Sequence, residues 1–125
     1  MNRVPVVNVD GVLLVTIQDE LVDDSVAELQ QHITEQVVAQ RARGVLIDIS
    51  VLDVVDSFLA RTLHDIAAAT SLLAARTVVV GMRPAVAITL VELGLMLPGL
   101  RTALSVEDAL ALLGRGGGVV RAARP

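Results

Sequence analysis

The sequence predicts an α/β domain built on a mixed, mostly parallel sheet, with elements in the order β-β-α-β-α-β-α-β-α. Two observations carry that expectation. Two β-branched runs meet at Asp10-Gly11, a dipeptide that favours a tight hairpin. Beyond them, short and nearly continuous apolar runs alternate with segments whose apolar residues step by three and four. A leading hairpin followed by alternating strand and helix signals implies strands that become parallel after the first pair.

The elements follow in order. VPVVNV (4–9) and GVLLVTI (11–17) form the hairpin. In DDSVAE, Ser25 and Glu28 fit a capping box, with either aspartate able to cap instead. Val22, Val26, Leu29, Ile33 and Val37 then make one helical stripe, with arginines expected in the last turn and Gly44 as the stop. GVLIDIS (44–50) reads as a central strand, and VLDVVD as the loop leading to Ser57. Leu59, Leu63, Ile66, Thr70 and Leu73 predict a second amphipathic helix, followed by the strand TVVVG (77–81). Pro84 suits the first turn of a third helix, with Val86, Leu90 and Leu93 inward and Gly94 closing it. RTALS (101–105) is a weaker strand signal. SVEDALALL (105–113) is a last helix capped by Ser105. Residues 1–113 are therefore expected to form one domain, and 114–125, rich in glycine and arginine without periodicity, a disordered tail.

Composition narrows the chemistry. There is no cysteine, so no disulfide, thiolate nucleophile or cysteine metal site. His32 and His64 are far apart in sequence, and no metal or other cofactor is expected. All ten basic residues are arginine, which removes lysine-dependent Schiff-base and phosphate-loop chemistry. Phe58 is the sole aromatic residue and the net charge is −4, a poor basis for binding nucleic acid. Up to Gly114 the chain carries seven basic against fourteen acidic residues. Apolar residues make up 54% of the chain, yet no run approaches the roughly 18–20 residues of a membrane span. Asp10 interrupts the N-terminus too early for a signal peptide, so a cytoplasmic protein is expected. The apolar excess points to buried contacts with other subunits.

Residue chemistry alone offers no enzyme constellation. Ser57 lacks a G-x-S-x-G context, and His64 stands two helical turns away, roughly 10 Å of rise. Arg61 and Asp65, at i and i+4, are expected to form a surface ion pair. Asp53 and Asp56 read first as loop carboxylates near a positive helix N-terminus. Ser57 itself reads first as an N-cap. Asp56 could cap instead, leaving the Ser57 hydroxyl free in the first turn. A phosphate there would meet free helix N–H groups and two carboxylates of like charge.

Three segments carry a family resemblance: GVLLVTIQDEL (11–21), GVLIDISVLDVVDSFLAR (44–61) and VVVGMRPAVAITLVELGL (78–95). Together they resemble the STAS domain of bacterial anti-sigma factor antagonists, the SpoIIAA-like fold, and within it the stressosome antagonists of RsbS type. The resemblance extends to about Leu113. It implies a non-catalytic scaffold that holds an RsbT-like serine kinase and co-assembles with RsbR-like STAS paralogues and with itself. It implies phosphorylation on Ser57, removal of the phosphate by a PP2C-type phosphatase, and kinase docking around Asp53, Asp56, Phe58 and Arg61. Thr89 matches a second acceptor position known in RsbR proteins, though its ordinary reading is a helix threonine. The chain opens directly on its first strand, so the RsbS form is expected rather than RsbR, which carries an N-terminal sensory domain. The resemblance also admits a simple antagonist acting on an anti-sigma kinase, or a STAS subunit of a transporter.

Overall fold

The computed structural model describes residues 4–18, 23–52, 57–92 and 100–114. The elements are β1 (Val6–Val9), β2 (Val12–Thr16), α1 (Asp23–Gln40), β3 (Gly44–Asp48), α2 (Ser57–Ser71), β4 (Arg76–Val80), α3 (Pro84–Glu92), β5 (Leu100–Ala103) and α4 (Val106–Leu112). They form one five-stranded sheet whose spatial order is the chain order, β1-β2-β3-β4-β5. β1 pairs antiparallel with β2, and every later pair is parallel. The predicted α/β class, mixed sheet and element order are all present.

This order fixes where the helices lie. Parallel crossovers are right-handed almost without exception. Here each one steps in the same direction across the sheet, so α1, α2 and α3 fall on one face. Their buried side chains Leu29, Ile33, Val37, Leu59, Leu63, Ile66 and Val86 share a core with Leu13, Val15, Val45, Ile47 and Val79. Alternate residues of the same strands point to the opposite face. There Val12, Leu46, Val78 and Val80 pack against Ala109 of α4, with Val106, Leu110 and Leu113 around it. Strand alternation thus sorts β3 between two cores, Ile47 to one and Leu46 to the other.

All helices begin at one end of the sheet, the C-terminal ends of the parallel strands, called here the upper rim. At the lower rim the hairpin turns through Asp10 (φ 56°) and Gly11 (φ 84°), and Gly11 N–H donates to Asn8 Oδ1 at 3.0 Å. Arg43 ties this rim together. Its side chain donates to the carbonyls of Asp10 and Leu113, and its own N–H donates to Gly11 O at 3.0 Å. One arginine thereby joins the hairpin, the start of β3 and the end of α4.

The helix ends depart from the sequence expectations in instructive ways. α1 begins at Asp23, so Ser25 lies inside the helix and is not its cap. It ends at Gln40, not at Gly44. Arg41 takes the left-handed conformation (φ 51°), and Gly44 instead opens β3, where Leu113 packs so close that a Cβ would stand 2.6 Å from its Cδ1. The arginines follow the helix rather than filling its last turn. α2 stops at Ser71, with Ala74 left-handed (φ 64°), so Leu73 is half-exposed rather than inward. Thr70 is buried as its place in the stripe predicted, and its hydroxyl meets that of Thr77 at 2.7 Å. Ser105 caps α4 as expected, its Oγ accepting from Asp108 N–H at 3.1 Å. Leu93, Gly94 and the 115–125 segment lie outside the described residues. No helix among the described residues is long and apolar enough to cross a membrane.

Candidate functional site

The upper rim between β3, β4 and the start of α2 is built by a short clamp. After β3, the Asp48 carboxylate accepts the Ser50 N–H at 2.9 Å, and Leu52 N–H donates to Ile49 O at 3.0 Å. These bonds fold residues 48–52 into a turn, with Leu52 buried beneath it and Val51 exposed above. The neighbouring strand closes on that turn. Ile49 N–H donates to Val80 O at 3.0 Å, and an Arg83 Nη2 donates to Ser50 O at 3.3 Å. Gly81 (φ 79°) is required at this contact. A Cβ there would lie 2.5 Å from Ser50 Cβ and 2.9 Å from its Cα, an approach that backbone cannot yield cheaply.

Helix α2 opens at Ser57. Its first turn is anchored from below by Leu59 and Ala60, both buried, while Phe58 and Arg61 are exposed one turn apart. The Thr62 hydroxyl donates to Phe58 O at 2.8 Å, the i−4 bond that satisfies a buried threonine in a helix. Ser57 therefore occupies the first turn, where backbone N–H groups have no intrahelical acceptor. An anion at such a position is favoured by those groups and by the helix dipole.

Of the residues singled out from sequence, Ser57, Phe58 and Arg61 are brought together on this turn. Asp53 and Asp56 lie outside the described residues. Thr89 falls within α3, one helix away from the Ser57 turn, and its side chain is outside the description. The expected Arg61–Asp65 ion pair is absent. Asp65 instead approaches its neighbour His64, Nδ1 to Oδ1 3.5 Å, with both side chains largely in solvent. The described residues hold no cluster of three or more histidine, aspartate or glutamate side chains that could bind a metal ion. Sequence reasoning missed Ser50, Gly81 and Arg83 as one unit. The available signal was a glycine closing an apolar strand directly before Met-Arg-Pro, a pattern that marks close backbone approach.

Comparison with known proteins agrees with this architecture. The STAS domain family model matches residues 3–109. The chain is similar to RsbS from Moorella thermoacetica, solved as a serine-to-glutamate variant. Identity is 40%, the TM-score is 0.78, and the match covers 90% of this chain and 95% of that one. It is equally similar, at 40% identity and TM-score 0.77, to a chain in the architecture of the stressosome, a signal integration and transduction hub, covering 87% of this chain and 95% of that one. The anti-sigma factor antagonist SpoIIAA in its unphosphorylated form shares the fold at 17% identity and TM-score 0.70, over 94% of this chain and 99% of that one. Among curated proteins, the RsbT co-antagonist protein RsbRD of Bacillus subtilis (strain 168) is 30% identical over 102 residues, 82% of this chain. The chain spans 37% of the length of that relative.

Proposed function

The chain belongs to the STAS family, and from that premise we propose that it is a non-catalytic scaffold and phospho-switch of a stressosome. Unmodified, it holds an RsbT-like serine kinase on the upper rim. It co-assembles with RsbR-like paralogues and with itself, in the cytoplasm. The kinase transfers the γ-phosphoryl group of ATP to the Ser57 hydroxyl and is then released, and a PP2C-type phosphatase resets the switch.

The observation that carries this reading is the position of Ser57, first in α2, with Phe58 and Arg61 exposed in the same stretch of helix and Val51 exposed in the turn that follows β3. Apolar side chains exposed next to a charged one supply what a docking partner desolvates. The buried anchors Leu52, Leu59 and Ala60 keep the turn in place whether or not a partner is bound. A phosphate adds about −1.5 to −2 charge. The sequence puts Asp53 and Asp56 within four residues of it, so the like charge accumulates where the kinase docks. A hundredfold loss of affinity requires about 2.7 kcal/mol, within reach of repulsion in a partly desolvated interface.

The test is incubation with an RsbT-like kinase and Mg-ATP, followed by mass mapping of the phosphate and a kinase pull-down. Phosphate on Ser57 and loss of the kinase are expected, with Ser57→Ala retaining the kinase after the same treatment. Phosphate on Thr89 alone, or release of the kinase from Ser57→Ala, would refute the Ser57 switch.

A further inference from the structure

The sheet face that carries α4 is only partly closed. α4 packs over β3, β4 and β5, and the hairpin end of that face lies beyond it. Register sets Val7 beside Leu14 and Val9 beside Val12. Val12 and Leu14 belong to the core beneath α4, so Val7 and Val9 share their face. Leu14 and Val9 are half-buried there, and Val7 is 53% exposed. The other face of the same hairpin is closed, with Val4 and Val6 packed against the larger core.

The end of α4 lies beside this strip. The carbonyl at its C-cap, Leu113 O, accepts from Arg43 Nε at 3.3 Å. The same guanidinium donates through Nη1 to Asp10 O in the hairpin turn. Its third nitrogen, Nη2, is buried and has no acceptor among the described residues. A buried donor in that condition is rare in folded proteins. The guanidinium is a planar fork in which Nε–H and one Nη2–H project side by side. The orphan donor therefore opens next to Leu113 O, where the chain leaves the helix. Gly114 is left-handed at that point (φ 74°) and turns the chain off the helix axis.

Beyond Gly114 the sequence continues RGGGVVRAARP (115–125). Such a segment has no apolar period of its own and orders only against another surface. It carries three arginines and no acid, whereas the chain up to Gly114 carries seven basic residues against fourteen acidic ones. A basic segment tethered to an acidic domain is drawn toward it. The reach also fits. Five residues separate Gly114 from Val119 and span up to about 17 Å when extended, while Val9 and Val7 lie only about 7 Å apart along β1.

We propose that residues 115–125 fold back over the hairpin end of this face, with Val119 and Val120 seated on Val7 and Leu14. A backbone carbonyl of residues 115–117 accepts from Arg43 Nη2 at the start of the path. The occupant is the chain's own segment because it begins beside the strip. A tether this short holds it at an effective concentration in the millimolar range, so even a weak contact is well populated. The contact is independent of the Ser57 switch, which uses the other rim.

The full chain contains no cysteine, so paired cysteines report the contact directly. In dilute solution under a mild oxidant, Val7→Cys/Val120→Cys should close an intramolecular disulfide about tenfold faster than Ile88→Cys/Val120→Cys, whose first thiol sits at an exposed position on α3. Val7→Cys alone should react with a maleimide about fivefold faster once Val119→Ser/Val120→Ser is added. Equal closure rates for the two pairs would overturn the proposal, as would a disulfide that forms only between two chains. Maleimide reactivity indifferent to Val119→Ser/Val120→Ser would overturn it equally.

Discussion

Adjacent residues of β3 meet different interiors. Ile47 lies beneath α1 and α2, helices of 18 and 15 residues, whereas Leu46 lies beneath α4, which has seven. Both side chains are essentially inaccessible to water. The thick face is held by two long helices that also pack on each other. The thin face is held by one short helix, fastened by the Ser105 cap at its start and by Arg43 at its end. Burial alone does not distinguish these residues. What differs is how far the cover can move when a side chain beneath it is lost.

The sharpest test is truncation on either side of the strand. Ile47→Ala is expected to cost about 3–5 kcal/mol, because a cavity between two long helices relaxes little. Leu46→Ala should cost about 1 kcal/mol less, since α4 can settle into the space. Urea unfolding of both variants measures the difference, and equal costs would break the comparison. Next is the buried hydroxyl pair on the thick face. Thr70→Val leaves the Thr77 hydroxyl without its partner and should cost about 1–3 kcal/mol. Adding Thr77→Val should recover most of that loss, which a double-mutant cycle reads directly.

Smaller effects probe the thin face. Ser105→Ala removes one cap bond and should cost about 1 kcal/mol. Hydrogen exchange should accelerate in α4 and leave α1 and α2 unchanged. Gly44→Ala is expected to cost less still, under about 1 kcal/mol. The new methyl meets only the flexible end of Leu113, which the short helix can carry away. A loss as large as that of Ile47→Ala would show that α4 is as firmly seated as its larger counterparts.

Legibility from sequence follows the same physics. β2, β3 and β4 were readable almost to the residue, because strands buried on both faces are continuous apolar runs bounded by polar ones. The ends of α1 and α2 were not. Both helices are followed closely by a left-handed residue that is not glycine, Arg41 and Ala74, so the expectation went to the nearest glycine or the last apolar residue instead. Leu73 looked like core because its spacing continued the helix, yet the helix had already ended. The start of α2 was legible to within one residue, since Ser57 reads first as the N-cap and the helix begins on it, and Arg61 is exposed as its surface reading implies, though without Asp65 as its partner. The clamp of Ser50, Gly81 and Arg83 was not, because it depends on how β3 and β4 lie against each other. Residues some thirty positions apart in sequence come together there only through lateral register.

The agreement between chain order and sheet order also bears on how the domain is made. Val12 finds its partner at Gly44, and Gly44 finds its own at Arg76, the same separation of 32 residues each time. No strand inserts between two already paired, and none waits for a distant segment. Pairing can therefore advance with synthesis, each strand arriving with the helix that will cover it and adding to an edge already in place. Among the described elements only the cover of the thin face comes after the whole sheet, since α4 follows β5. A ribosome-bound chain stalled before α4 would thus hold a paired sheet with the Leu46, Val78 and Val80 side uncovered.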